Sequence, residues 1–154
     1  MNYPEYRSDL KHIYQSEVYG SNVFRIAMRI TSDPIKKEKW RLLYLLEVQT
    51  LERFLLHLDS SQQSCSYPWF WSIKGYFEGL AITLFPWKTA MKILAKETQS
   101  FTIIWKRLKT NAAPDEQEFF DYIYAHEKAI EAFATLEIAE CERSILGVKS
   151  LLMR

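Results

Sequence analysis

From Leu10 onward, apolar side chains recur with the spacing of a buried helical stripe. The stripe comprises Leu10, Ile13, Tyr14, Val18, Val23, Phe24, Ala27 and Met28. It is interrupted at TSDP, residues 31–34, where Ser32 or Asp33 can cap a new helix and Pro34 fits that helix's first turn. The pattern therefore predicts one helix that ends near residue 30 and a second that begins at Pro34.

The rest of the chain continues with helical spacing. The second helix runs to Leu58, and the polar segment DSSQQSCSYP, residues 59–68, predicts a loop. A third helical region extends from about Trp69 to Lys109, and Pro86 must kink or split it. After a break at residues 110–116, a fourth helix starts at Pro114, passes Leu136 and can extend to Leu152.

The two halves of the chain share a pattern at an offset of 80 residues. The matched pairs are Glu17 and Glu97, Pro34 and Pro114, Glu38 and Glu118, Tyr44 and Tyr124, and Glu47 and Glu127. Because these pairs include both helix starts and both mid-helix glutamates, the pattern predicts two copies of one helical hairpin.

Four of these glutamates are placed to meet at one height. Glu17 and Glu47 each lie 15 residues from Ser32, and Glu97 and Glu127 each lie 15 residues from Ala112. In an antiparallel pair of helices, positions equidistant from the turn face each other, here about 22 Å above it. Two such hairpins packed as a bundle bring one glutamate from each of four helices into one core layer, as in di-iron bundles.

Composition supports a single globular domain, residues 1–154, without a nucleic-acid role. The chain is 48% apolar and 25% charged, and its net charge of +1 gives no electrostatic support for nucleic acid. Cys65 and Cys141 form no metal-binding pair, and the polar N-terminus predicts no signal peptide, so we expect a cytoplasmic protein. The most apolar segment, residues 66–87, contains Lys74, Glu78 and Pro86, which argues against a membrane span.

At this point the chain resembles a known family. The segments YQSEVYGSNVFRIA, GLAITLFPWKTAMKILAKETQSF and AHEKAIEAFATLE are similar to helices of the ferritin-like superfamily, and closest to the demethoxyubiquinone hydroxylase and rubrerythrin branches. The resemblance spans residues 14–137. It implies an all-α, ferritin-like antiparallel four-helix bundle of two helical hairpins, with a crossover through residues 59–68 and the front of the third helix. It also implies that Glu17, Glu47, Glu97 and Glu127 are the metal ligands.

The chain departs from the family at the two expected histidine ligands. These positions hold Thr50 and Ile130, and no Glu-x-x-His sequence occurs. A site of oxygen ligands alone suits Mn²⁺, Mg²⁺ or Ca²⁺ better than redox iron, and Glu131, one turn beyond Glu127, is a candidate fifth donor.

Neighbouring side chains extend the candidate site. Tyr44 and Tyr124 each stand three residues before a ligand glutamate. Each is interpreted as a core tyrosine with a hydrogen-bonded hydroxyl, and a redox role beside a metal is the alternative.

Four converging carboxylates need compensation, and three forms are open. A metal can bind, protons can be shared among the acids, or a basic group can fill the gap, with Arg25, Lys96 and His126 nearest in sequence. The three histidines, His12, His57 and His126, are each interpreted as surface or hydrogen-bonded residues rather than metal ligands.

The aromatic run between residues 67 and 87 has three interpretations. It forms core and the seam of a homodimer, lines a tunnel for an apolar ligand, or makes a peripheral membrane contact through Trp69, Trp71, Phe77 and Trp87. Sequence cannot choose among them because it does not reveal exposure.

Three functions follow, and the sequence leaves open whether the protein is an enzyme. The first is a bundle with a degenerate carboxylate site that binds metal weakly or not at all and has a binding or structural role. The second is an oxidase or hydroxylase with a di-metal centre of Fe or Mn that acts on an apolar substrate. The third is an adaptor that dimerises through its aromatic helix.

Overall fold

The computed structural model describes residues 4–61 and 63–154, and it is all-helical. Its helices, in order, are α1 (Tyr6–Ile30), α2 (Pro34–Ser60), α3 (Trp69–Ile82), α4 (Trp87–Thr110), α5 (Gln117–Ile138) and α6 (Leu146–Leu152). No strand occurs in the described residues, which confirms the prediction of an all-α protein.

The boundary between α1 and α2 lies where the sequence predicts it. Asp33 is the N-cap of α2, and its carboxylate accepts hydrogen bonds from the backbone N–H groups of Ile35 and Lys36 at 2.9 and 3.0 Å. Pro34 occupies the first helical position, where a missing N–H costs nothing. The two helices pack against each other through apolar faces that include Phe24 and the fully buried Trp40, whose rings stack 5.8 Å apart.

Pro86 splits the third helical region into α3 and α4, as one of the two predicted outcomes. α3 packs against α1 through Gly75 and Gly79. A Cβ atom at Gly75 would lie 2.5 Å from the Tyr19 carbonyl oxygen, and one at Gly79 would lie 2.7 Å from the Val23 carbonyl oxygen. Since neither backbone can yield to a methyl group, these glycines allow the two helices to touch backbone to backbone.

α4 packs against α5, and a buried ion pair ties α4 to α1. The Arg107 guanidinium Nε lies 2.7 Å from the Asp9 carboxylate, which is almost fully buried. Trp105 and Leu108 of α4 join Phe120 and Ile123 of α5 in the hydrophobic core.

The fourth predicted helix does not reach Leu152, which corrects the sequence expectation. α5 ends at Ile138, and α6 follows as a separate short helix. Glu140 has φ of 59°, a left-handed conformation, and the Cys141 N–H donates to the Leu136 carbonyl at 2.9 Å. This pair of features terminates a helix, even though glycine is the usual residue at the left-handed position.

Glu137 stabilises the end of α5. Its carboxylate accepts hydrogen bonds from Lys39 Nζ at 2.6 Å, from Trp87 Nε1 at 2.6 Å and from the Ser144 hydroxyl. Through this one side chain, α2, α4 and the segment before α6 are held together.

The aromatic run is divided between the core and the surface. The Trp87 ring packs edge-on against Trp40 at 5.1 Å, whereas Trp69 is 72% exposed and Phe77 is 61% exposed. The interpretation as core is therefore wrong for Trp69 and Phe77. No helix in the described part of the chain is long and apolar enough to cross a membrane.

Candidate metal centre

Three buried side chains from three helices meet inside the protein. They are Glu17 of α1, Glu47 of α2 and His126 of α5, and one ligand atom from each lies within 4.8 Å of the others. His126 Nδ1 is 3.9 Å from Glu17 Oε1, and His126 Nε2 is 3.8 Å from Glu47 Oε1. The imidazole thus lies between two carboxyl groups.

The α1–α2 turn explains why the two glutamates meet. Their equal distance from Ser32 predicts that they lie at one height, and the structure brings them together. Gly20, one turn after Glu17, makes room for the Glu47 carboxyl group, because a Cβ atom there would lie 2.7 Å from Glu47 Oε1. A larger residue at this position would displace the Glu47 side chain.

The other two predicted ligands lie differently. Glu127 is buried, and the charges of Glu17 and Glu127 act on each other. Glu97 is exposed and lies outside the cluster formed by Glu17, Glu47 and His126. All four glutamates line one cavity, but only Glu17 and Glu47 belong to that cluster.

Burial keeps the acids protonated and the imidazole neutral in the protein without a bound ion. Burial raises the pKa of Glu17 to about 8, although the hydrogen bond with Glu47 opposes this rise. Burial also raises the pKa of Glu47 well above its usual range, and the nearby Glu17 and Glu127 raise it further. Burial lowers the pKa of His126 to about 3.

The cluster contains polar atoms that the rest of the protein leaves without partners. Both ring nitrogens of His126 and Oε2 of Glu17 are buried and have no hydrogen-bond partner among the described residues. A buried polar group without a partner costs about 1–3 kcal/mol. Native proteins rarely retain such a group without a ligand, an ion or a water to satisfy it.

The remaining residues predicted for the site have other contacts. The Thr50 hydroxyl donates to the Leu46 carbonyl at 2.9 Å and lies 3.3 Å from the Tyr122 hydroxyl. Glu131 is paired with Lys128 and accepts a hydrogen bond from Gln99 at 3.4 Å. These contacts engage Thr50 and Glu131 outside the cluster.

The other three predicted neighbours are apolar or aromatic. Ile130 is buried and lines the cavity. Tyr44 and Tyr124 are both half-buried, and Lys109 Nζ lies 5.0 Å from the centre of the Tyr124 ring.

The interpretation of His126 as a surface or hydrogen-bonded histidine is wrong. The residue is fully buried and its ring nitrogens are unpartnered. A signal was present in the sequence, because Ile123, His126, Ile130 and Phe133 follow the spacing of a buried helical stripe. The possibility that His126 fills the gap between the acids agrees with its position. His12 is exposed, as interpreted, and His57 stacks on Phe119 at 4.0 Å.

A cavity of about 300 Å³ adjoins the cluster. Its lining includes Glu17, Glu47 and Glu127 together with apolar side chains of α1, α3, α4 and α5. Comparisons of the chain with models of protein families, with curated proteins and with solved structures give no match.

Proposed function

We propose that the protein binds a divalent transition-metal ion through Glu17, Glu47 and His126. The observation that carries this proposal is the set of three buried donors, from three helices, whose outward atoms lack partners. We further propose that α1 with α2 and α4 with α5 are two helical hairpins of a ferritin-like four-helix bundle, in which α3 belongs to the crossover. Glu127 lies beside the cluster as a further oxygen donor.

The donor spacing supports an ion of ordinary size. Ligand atoms about 2.1 Å from a metal ion lie about 3.0 Å apart at right angles and about 3.4 Å apart at tetrahedral angles. Closing the observed separations of 3.8 and 3.9 Å to these values requires side-chain shifts of well under an ångström. The mixed set of imidazole and carboxylate suits Fe, Zn or Mn, whereas the oxygen-only set expected from the sequence would favour harder cations.

Binding would replace protons by a metal ion. The acids ionise when they coordinate, so uptake of the ion releases protons and strengthens as pH rises. The ion would also satisfy the unpartnered atoms of Glu17 and His126, which removes a cost that the ion-free protein carries.

A second candidate function is oxidation of a small apolar molecule at this centre. The adjoining cavity favours it, because apolar side chains such as Phe24, Leu94 and Phe101 form its walls beside the three buried acids. A bound redox metal would supply the oxidising chemistry, and the walls would hold the substrate and exclude water.

Metal content tests the proposal. Purified protein, reconstituted separately with Fe²⁺, Mn²⁺ and Zn²⁺ and freed of excess ion, is measured by elemental mass spectrometry beside Glu47→Gln and His126→Ala variants. We expect near-stoichiometric metal in the wild type, a large loss in both variants, and no loss in Glu118→Gln, a matched change at an exposed site. Absence of metal from the reconstituted wild type, with circular dichroism confirming a helical fold, would refute the proposal.

Oxygen consumption distinguishes the two candidates. Ferrous protein exposed to air should consume oxygen beyond the amount that the free ion consumes if the centre is oxidative. Stoichiometric metal without such consumption would leave a metal-binding protein and eliminate the oxidase.

A further inference from the structure

The cavity beside the metal cluster extends from an exposed rim to a buried interior. Ala81 and Glu97 at the rim are exposed, whereas Glu17, Phe24 and Ile130 in the interior are buried. The volume of about 300 Å³ accommodates a ligand. At about 30 Å³ for each water-sized volume, there is room for roughly ten non-hydrogen atoms.

The charges that line this cavity are all of one kind. Five glutamates line it, namely Glu17, Glu47, Glu78, Glu97 and Glu127, and no Lys, Arg or His is found among the described residues of the lining. An anionic ligand would therefore meet carboxyl groups without a compensating cation, at both the rim and the interior.

One interior carboxyl oxygen points to a ligand independently of this charge count. Glu17 is 1% exposed, and its Oε2 has no hydrogen-bond partner among the described residues although the side chain lines the cavity. At the rim, Glu78 is already neutralised by Lys74 at 2.8 Å and by the Tyr19 hydroxyl. Glu97, by contrast, has no salt bridge within the described part of the chain.

The walls between rim and interior are apolar. Val23 and Phe24 of α1, Ile82 of α3, and Leu94 and Phe101 of α4 line the passage. A ligand that fills this space must combine an apolar body with a polar end, because the walls offer no other hydrogen-bonding groups along these residues.

We infer that the cavity binds a small amphiphilic amine, with its ammonium group at the Glu97 carboxylate on the rim and its apolar body along the walls toward Glu17. The inference names the substrate class of the proposed metal centre. It rests on the proposed function for the reaction, and on the cavity alone for binding.

Three ligands with the same chain length and different head groups test the inference. Octylamine is cationic at neutral pH, octan-1-ol is neutral, and octanoate is anionic. Calorimetric titration of the full chain at pH 7 and low ionic strength, below the ligands' aggregation concentrations, should show octylamine binding at least about tenfold more tightly than octan-1-ol. Octanoate should bind more weakly than the alcohol. Equal affinities, tighter binding of octanoate, or no binding of any ligand would overturn the inference.

Two variants locate the binding site. Glu97→Gln should reduce the preference for octylamine over octan-1-ol to within about twofold, whereas the exposed control Glu118→Gln should retain it. Ala81→Trp, a change at the exposed rim, should abolish binding of both ligands by closing the entrance. Unchanged octylamine binding in Glu97→Gln or in Ala81→Trp would overturn the inference, because the amine would then bind elsewhere.

The outcome remains separable from that of the metal proposal. Titrations are made with the chelator-treated protein and with the metal-reconstituted protein, and metal content is measured on each sample. Amine binding in protein that takes up no metal would support the inference while the proposed function fails. Stoichiometric metal without amine binding would have the opposite meaning.

Discussion

The buried Glu17 carboxyl group makes stability fall as pH rises in the metal-free protein. Its pKa is raised from 4.5 to about 8 by burial, so the group is protonated in the folded state over a range in which the unfolded chain has lost the proton. A raised folded-state pKa contributes stability that is present in full below pH 4.5 and is lost as pH rises through about 8. The Glu17→Gln variant keeps the shape and removes the titration.

The size of the effect follows from the shift. At 1.36 kcal/mol for each pKa unit, a rise from 4.5 to about 8 corresponds to about 5 kcal/mol once the group is fully ionised. Between pH 5 and pH 8.5 the free energy of unfolding should fall by about 4 kcal/mol from this group alone. Glu17→Gln should lose about 4 kcal/mol less than the wild type over that interval.

Urea unfolding, followed by circular dichroism in the presence of a chelator, measures the difference. Curves are recorded at several pH values for the wild type, Glu17→Gln and the exposed control Glu118→Gln. The control should follow the wild type within about 0.5 kcal/mol. If Glu17→Gln and the wild type lose stability in parallel, Glu17 does not carry the raised pKa and the description of the cluster is wrong.

Three further changes test the fold. Glu137→Ala removes an acceptor shared by Lys39, Trp87 and Ser144, and it should lower the free energy of unfolding by about 3 kcal/mol in a urea titration at pH 7. Because these contacts lower the Glu137 pKa, the loss should shrink as pH falls below about 4.5, and a constant loss would contradict the ion-pair account. Gly79→Ala should destabilise the protein by at least about 2 kcal/mol through backbone contact with α1, whereas Gly147→Ala, with open space around it, should stabilise α6 by up to about 1 kcal/mol; equal melting temperatures for the two variants would refute the close contact. Trp69→Ser should change the free energy of unfolding by less than about 0.5 kcal/mol, since the side chain is 72% exposed, and a loss above about 2 kcal/mol would place Trp69 in the core.

The helix boundaries that the sequence predicts well are those with a chemical marker. Asp33 and Pro34 mark the start of α2, and Pro86 marks the division between α3 and α4. The end of α5 has no such marker, because the left-handed position there is held by Glu140 instead of glycine. Hydrophobic spacing resumes in α6, so the pattern runs on across a real break.

The candidate site shows what height along a helix can and cannot predict. Equal distances from the turn predict that Glu17 and Glu47 meet, and they do. Height says nothing about rotation around the helix axis. α4 turns Leu94 and Thr98 inward, which leaves Glu97 exposed. The same omission hid His126, whose direction was judged relative to Glu127 rather than to the buried stripe of α5.

The backbone contact between α3 and α1 makes the two sides of the cavity unequal. α3 cannot move closer to α1 at Gly75 and Gly79, and its main chain fixes how wide the cavity is on that side. On the opposite side, the half-buried side chains of Ile93 and Phe101 from α4 define the width. Changes in ligand selectivity, whether by natural drift or by engineering, should therefore accumulate on α4, while α3 acts as an invariant gauge of molecular thickness.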